Sequence, residues 1–356
     1  MLAVRTHVAG QPLVLEDMPL PEPSGTEVRI RVAGCGVCHT DLHLARTDRL
    51  RITRPVTLGH EVAGTIDAWG PAARSALHRH HLAEGNPVLV YGGWGCGACR
   101  ECAAGEEQRC ERGESPGFQR DGGYAEYMLV PHPRFLVRLG DLHADHAAPL
   151  ADAGVTPYRA VGRAAPWLAP GARVLLIGFG GLGQFALQFL RRLPDLTVAV
   201  RELNPAKLQL ASRRGADLGL LDGDETLVTL GLGAPADAVF DFVGTDDSLA
   251  YAARNVAPGG LISLVGEAGG TLPFGFERVP VEATLTTTAW GSLADLREVV
   301  QLARRGRLEW EVERMPLAEA RAAHDRLAAG DVEGRLVLVP PREEPAGQVS
   351  PRTGGS

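Results

Sequence analysis

The 356-residue sequence predicts an α/β protein of two domains, a β-rich first part followed by a parallel sheet covered on both faces. Three observations carry that prediction. Residues 1–150 hold short β-prone runs, each ended by Gly or Pro. From about residue 153 strand and helix patterns alternate, which a parallel sheet requires. A glycine-rich turn joins the first of those strands to the first of those helices.

In order along the chain, EVRIRVAG, EVAGTIDAWG, PVLVYGG and GYAEYMLVP read as strands of the first part. HRHH at 78–81 reads as a solvated loop rather than a metal site. RVLLIG is then a buried strand, and GQFALQFLRRL carries apolar residues at helical spacing. LTVAVREL, AVFDFVG and LISLVGE are further strands, and PAKLQLASRRGA is a further helix. LADLREVVQLARRGRL predicts another helix, GRLVLVP a closing strand, and the Pro- and Gly-rich tail PREEPAGQVSPRTGGS is expected to be disordered.

Composition narrows the function. A net charge of −7 and a pI near 5.9 argue against nucleic-acid or anionic-membrane binding, because polyanions would be repelled. No run approaches a membrane span, and MLAVRTHVAG has no apolar core or cleavage signal, so a cytoplasmic location is expected. All six cysteines fall between positions 35 and 110, a clustering that speaks for metal binding rather than a disulfide frame.

Cys96, Cys99, Cys102 and Cys110 lie within fifteen residues and can close a tetrahedral Zn–S4 site with no open position, hence a structural one. An iron–sulfur cluster is the rival reading. Ferredoxin spacing, however, leaves three residues before the fourth cysteine and follows it with proline, whereas here seven intervene and Glu111 follows. Gly178, Gly180 and Gly183 form G-x-G-x-x-G between a strand and a helix, the context in which a backbone turn and a helix N-terminus meet a pyrophosphate. Nineteen residues past Gly183, Glu202 ends the next strand, where a carboxylate accepts from the adenosine ribose and repels a 2′-phosphate, so NAD is expected over NADP. Neighbouring Arg201 should point to the opposite face of the strand.

Cys38, His60 and Asp152 offer sulfur, nitrogen and oxygen, but no spacing rule joins donors so far apart, and a buried thiol, a core histidine and a helix cap are the simpler individual readings. Cys35, three before Cys38, reads as a small apolar filler.

GVCHTDLH, GHEVAGT, the four-cysteine run, DGGYAEY, APLADAGVTPY, GFGGLG and GRLVLVP, in that order, resemble the zinc-dependent medium-chain alcohol dehydrogenases over residues 1–340. The resemblance implies a GroES-like β-barrel catalytic domain over 1–152 with a structural-zinc lobe at 94–112. It further implies a Rossmann doubly wound coenzyme domain over 153–289 and a return to the catalytic domain over 290–340, leaving 341–356 as tail. It implies reversible hydride transfer between a secondary or primary alcohol and NAD, two zinc ions per subunit, and a homodimer or homotetramer.

Carried over by position, the resemblance makes Cys38 and His60 ligands of a catalytic zinc, Glu61 an acidic neighbour able to approach the metal, and Asp41 the carboxylate that orients His60. Thr40 would take the alcohol proton and His43 pass it to solvent. His39 and Arg335 would lie near the pyrophosphate and Lys207 near the ribose, with Gly181 in the glycine turn and Thr156, Leu182, Val243 and Val265 on the nicotinamide side. The family's third zinc ligand is mostly cysteine, and Asp152 stands in that slot. It keeps the ligand charge at −1 but offers a harder donor, so direct coordination by Asp152 is expected. Leu42, Trp94 and Trp290 are expected to line an apolar pocket favouring medium hydrophobic or aryl alcohols and ketones over polyols. The competing readings are a polyol dehydrogenase, a zinc-free quinone reductase, against which the four cysteines and GHE speak, and a non-catalytic zinc- and NAD-binding protein.

Overall fold

The computed structural model describes residues 1–48, 52–221 and 233–341. Among these, six parallel strands run in the spatial order Leu218–Leu220, Thr197–Arg201, Arg173–Ile177, Ala236–Asp241, Val256–Leu264, Thr284–Thr287. Numbered along the chain that is 3-2-1-4-5-6, the doubly wound order, whose direction reverses between the first and fourth strands and opens a crevice at their carboxyl ends. The centre is dry: Val174, Leu175, Leu176, Val198, Ala199, Val200, Val239 and Phe240 have no exposed surface, as strands covered on both faces demand.

A second sheet orders Val312–Pro316, Arg335–Val339, Val28–Gly36, Glu61–Trp69, Pro87–Val90 and Leu136–Arg138, with Tyr127–Val130 paired to Val28–Gly36. A small three-stranded sheet joins Val14–Asp17, Leu2–Thr6 and Val56–Thr57. The closing strand Arg335–Val339 returns to this part of the molecule and pairs antiparallel with Val28–Gly36, placing Leu338 opposite Cys35. Arg335 is thereby carried from the far end of the chain to Glu61.

The expected strands and helices lie where their patterns put them. HRHH differs: the helix Arg74–Arg79 runs into it and His80 closes that helix, because Ala76 and Leu77 provide an apolar face that buries. Most of the expected tail, from residue 342, lies outside the described residues. No helix among the described residues is long and apolar enough to cross a membrane.

Candidate active site and zinc lobe

The helix His39–Arg46 begins at Cys38, and its third residue, Asp41, reaches back to accept from the Cys38 backbone N–H at 2.9 Å. The same carboxylate faces His60 Nδ1 at 3.2 Å and accepts from the Tyr124 hydroxyl at 3.1 Å. Asp41 is fully buried, and burial works to raise its pKa, but the His60 ring and the Cys38 N–H hold it below the ordinary carboxylate value. A bond to Nδ1 fixes the ring and leaves Nε2 free to face Cys38 and Asp152.

Asp152 follows the short helix Ala148–Ala151, and its two oxygens have different partners. Oδ1 accepts from the Thr156 hydroxyl at 2.6 Å. Oδ2 stands 3.6 Å from Cys38 Sγ and 3.6 Å from His60 Nε2. Donor atoms of Cys38, His60, Glu61 and Asp152 all lie within 4.8 Å of one another. A regular tetrahedron with a 3.6 Å edge has its centre about 2.2 Å from each vertex, within the roughly 2.0–2.3 Å of zinc–ligand bonds. Glu61 adds a second sign that a cation fits. Its Oε1 forms a buried ion pair with Arg335, while its Oε2 is buried without a hydrogen-bond partner.

The four cysteines of the lobe are also gathered within 4.8 Å. Cys99 Sγ lies 3.5 Å from Cys102 Sγ and 3.7 Å from Cys110 Sγ, too far for a disulfide and right for the edges of a thiolate tetrahedron. Arg112 points at Cys96 Sγ from 3.2 Å, and backbone N–H groups, that of Ala98 foremost, draw the Cys96 thiol down to about 6.

A cavity of about 520 Å³ joins the three-donor cluster to the glycine turn. Cys38, His39, Thr40, His43, His60, Asp152 and Thr156 line it together with Gly178, Gly180, Gly181, Leu182, Gly183, Glu202 and Lys207, and with Val243, Val265 and Arg335. The turn is built for close approach. Gly178 has φ +88°, and a Cβ on Gly183 would lie 2.2 Å from the Gly178 carbonyl oxygen. Glu202 braces the turn, accepting from Phe179 N at 2.8 Å and from Asn204 N at 2.9 Å. Arg201 points away, over the Tyr251 ring at 4.3 Å and to Asp247 at 3.1 Å. Desolvation against the cleft wall and the nearby Arg335 push His39 down to about 4, so its ring is uncharged near neutral pH.

Trp290 lines the cavity at φ +50°, packed edge-on against His60 and Phe118 with ring centroids 6.1 and 5.9 Å away. Leu42 and Trp94, expected beside it, are not part of the cavity wall. Leu42 is on the inward face of its helix, and Trp94 donates its indole N–H to the Tyr91 carbonyl at 2.6 Å and packs on Phe135. Polar groups share the wall: Glu267, Gln108 and Thr288 line it with Phe118. Glu267 escaped sequence reasoning because it belongs to no motif; its place just past the strand Val256–Leu264 was the only available signal.

Fold order, glycine turn, three-donor cluster and thiolate lobe together define a zinc-dependent dinucleotide enzyme of the medium-chain class. A family model for the alcohol dehydrogenase GroES-like domain matches residues 24–141, and one for zinc-binding dehydrogenases matches residues 214–338. The chain belongs to the zinc-dependent medium-chain alcohol dehydrogenase family. It is 35% identical to an NAD-dependent alcohol dehydrogenase of Sulfurisphaera tokodaii, over 96% of this chain and 100% of that protein. It is also 35% identical to the D-arabinose 1-dehydrogenase (NADP(+)) of Saccharolobus solfataricus, over 93% of this chain and 95% of that one. The crystal structure of the alcohol dehydrogenase from Aeropyrum pernix superimposes with a TM-score of 0.88 at 36% identity, covering 96% of this chain and all of the other.

Proposed function

We propose that this protein is a zinc- and NAD-dependent alcohol dehydrogenase that interconverts secondary or primary alcohols with ketones or aldehydes. One observation carries the reading: a single cavity is walled at once by the Cys38–His60–Asp152 cluster and by the glycine turn with Glu202. Cys38, His60 and Asp152 would hold a catalytic zinc, and Cys96, Cys99, Cys102 and Cys110 a structural one. When bound, the zinc supplies Lewis acidity and the nicotinamide a hydride acceptor.

The remaining roles belong to side chains of the chain. Asp41 keeps the His60 ring oriented, and Thr156 keeps Asp152 oriented, each by a hydrogen bond to the atom that does not face the cluster. Thr40, 3.7 Å from Cys38 Sγ, accepts the alcohol proton, and His43 on the same cavity wall passes it to solvent. Glu61 and Arg335 balance one another's charge beside the cluster. Glu202 and Lys207 receive the adenosine ribose, and the helix Gly181–Leu190 meets the pyrophosphate with its N-terminus. The test is NADH absorbance at 340 nm over a panel of alcohols, with and without a chelator. Chelator-sensitive NADH formation is expected, and turnover of no alcohol or carbonyl would refute the reading.

A sugar or polyol dehydrogenase is the second reading, favoured by the D-arabinose-oxidising relative; polyols in the same panel decide between them. The chain is further read as a cytoplasmic homodimer or homotetramer. Six cysteines without a disulfide suit a reducing compartment. Thr284–Thr287 is an edge strand of the parallel sheet, and Phe274, Phe276 and Val281 in the segment leading to it are exposed, a surface that a second subunit would cover. Sedimentation of the purified protein as a monomer would refute that assembly.

A further inference from the structure

We propose that Glu267 selects substrates carrying a second hydrogen-bond donor, a hydroxyl or an ammonium, beside the reacting carbon. The inference rests on the alcohol dehydrogenase reading and specifies its substrate class.

Glu267 lies just past the strand Val256–Leu264, and its side chain forms part of the cavity wall with Thr40, Phe118 and Trp290. It is exposed to the cleft. Among the described residues its carboxylate has one hydrogen bond, a long one of 3.4 Å from the Thr40 hydroxyl, and no ion pair. A carboxylate offers about four acceptor positions, so most of its capacity is directed at the cleft and is met by water until a ligand arrives.

Thr40 is the residue placed at the alcohol proton, so a ligand reaching Thr40 also reaches Glu267. A wholly apolar substrate would displace the water around Glu267 and return nothing. One with a hydroxyl or ammonium near its reacting carbon would replace that water with a charge-assisted hydrogen bond. Sites built around such a bond discriminate strongly against analogues lacking the donor. Phe118 and Trp290, by contrast, contact a carbon skeleton without distinguishing the two.

The experiment uses the full zinc-loaded protein with NAD and three matched compounds: butan-2-ol, butane-2,3-diol and 3-aminobutan-2-ol. The expected result is a kcat/KM for at least one donor-bearing compound about tenfold or more above that of butan-2-ol, expressed mainly in KM. Glu267→Leu should erase the advantage. Glu267→Gln, which keeps an acceptor oxygen but no charge, should erase an ammonium preference and only weaken a hydroxyl preference, so the two arms identify the donor. Ratios that are the same in the wild type and both variants would overturn the proposal. Thermal shifts of the same proteins by the same compounds report binding without turnover. If no alcohol is oxidised, the dehydrogenase reading fails, and a melting shift by the diol or amino alcohol that is absent in the variants still decides on Glu267. Should Glu267→Leu fold poorly, the near-isosteric Glu267→Gln carries the comparison.

Discussion

Asp152→Asn exchanges one oxygen for an amide nitrogen and should empty the cleft of its metal. The amide can keep the 2.6 Å bond from Thr156 by presenting its carbonyl oxygen there. What then faces Cys38 and His60, each 3.6 Å away, is an uncharged NH2 that cannot ligate. With Cys38 as thiolate and Asp152 as carboxylate, two negative charges balance a divalent ion; the substitution leaves one charge uncompensated among groups that are nearly inaccessible to water. Changing a partner one bond further from a metal costs about 10–100-fold in affinity. Loss of a direct ligand should therefore cost at least about 100-fold, or about 2.7 kcal/mol. Dialysis against a dilute chelator followed by metal analysis should leave the wild type with an ion in each donor cluster and the variant with the lobe ion alone, which serves as internal standard. Turnover should fall at least in proportion, and Asp152→Cys should retain the metal. An Asn variant that keeps both ions and the wild-type kcat/KM would refute direct coordination.

The other expectations are independent of that site. Cys110→Ser should remove the lobe ion and lower the melting temperature while the cleft ion is retained; unchanged metal content and melting would contradict a structural zinc. Glu202→Ala removes the acceptor of the Phe179 N–H and the expected ribose contact, so KM for NAD should rise about tenfold or more with little change in alcohol KM. His324 is buried beside the Tyr124 hydroxyl, and burial lowers its pKa from 6.5, so the unfolded chain binds the proton more readily. Its neutral ring therefore contributes stability above about pH 6.5 that is lost as pH falls below it. Melting curves of wild type and His324→Gln should converge between about pH 7 and pH 5, and a constant gap would contradict the assignment.

Much of the site could be read from local sequence because local geometry builds it. The lobe needs four thiols on one short loop, and the 96–110 spacing states that directly. The glycine turn needs φ near +88° at Gly178 and no side chain at Gly183, demands that only glycine meets. Asp41 sits in the first turn of its helix, and that capping position already turns its carboxylate toward the Cys38 backbone. The substrate pocket resisted because neighbours in sequence diverge in space. Leu42 follows Asp41 but lies on the inward face of the helix, and Trp94 precedes the lobe but turns into the barrel core. Trp290 reaches His60 from the opposite side with a positive φ, and Gly92 makes room for it, since a Cβ there would come within 2.9 Å of the indole.

By itself the sequence determined the class: an alternating strand and helix pattern, a dinucleotide turn with an acidic partner, and a thiolate lobe are short-range facts, each complete within a few tens of residues. The tertiary structure decided how distant groups come together in the cleft. Cys38, His60 and Asp152 converge because a helix start, a strand start and a helix end from separate parts of the chain share one corner of the barrel. Arg335 reaches Glu61 because the last strand pairs beside Val28–Gly36, and Glu267 reaches Thr40 because the parallel sheet directs its strand ends at that corner. Such long-range meetings follow from packing and strand order, which no spacing along the chain encodes.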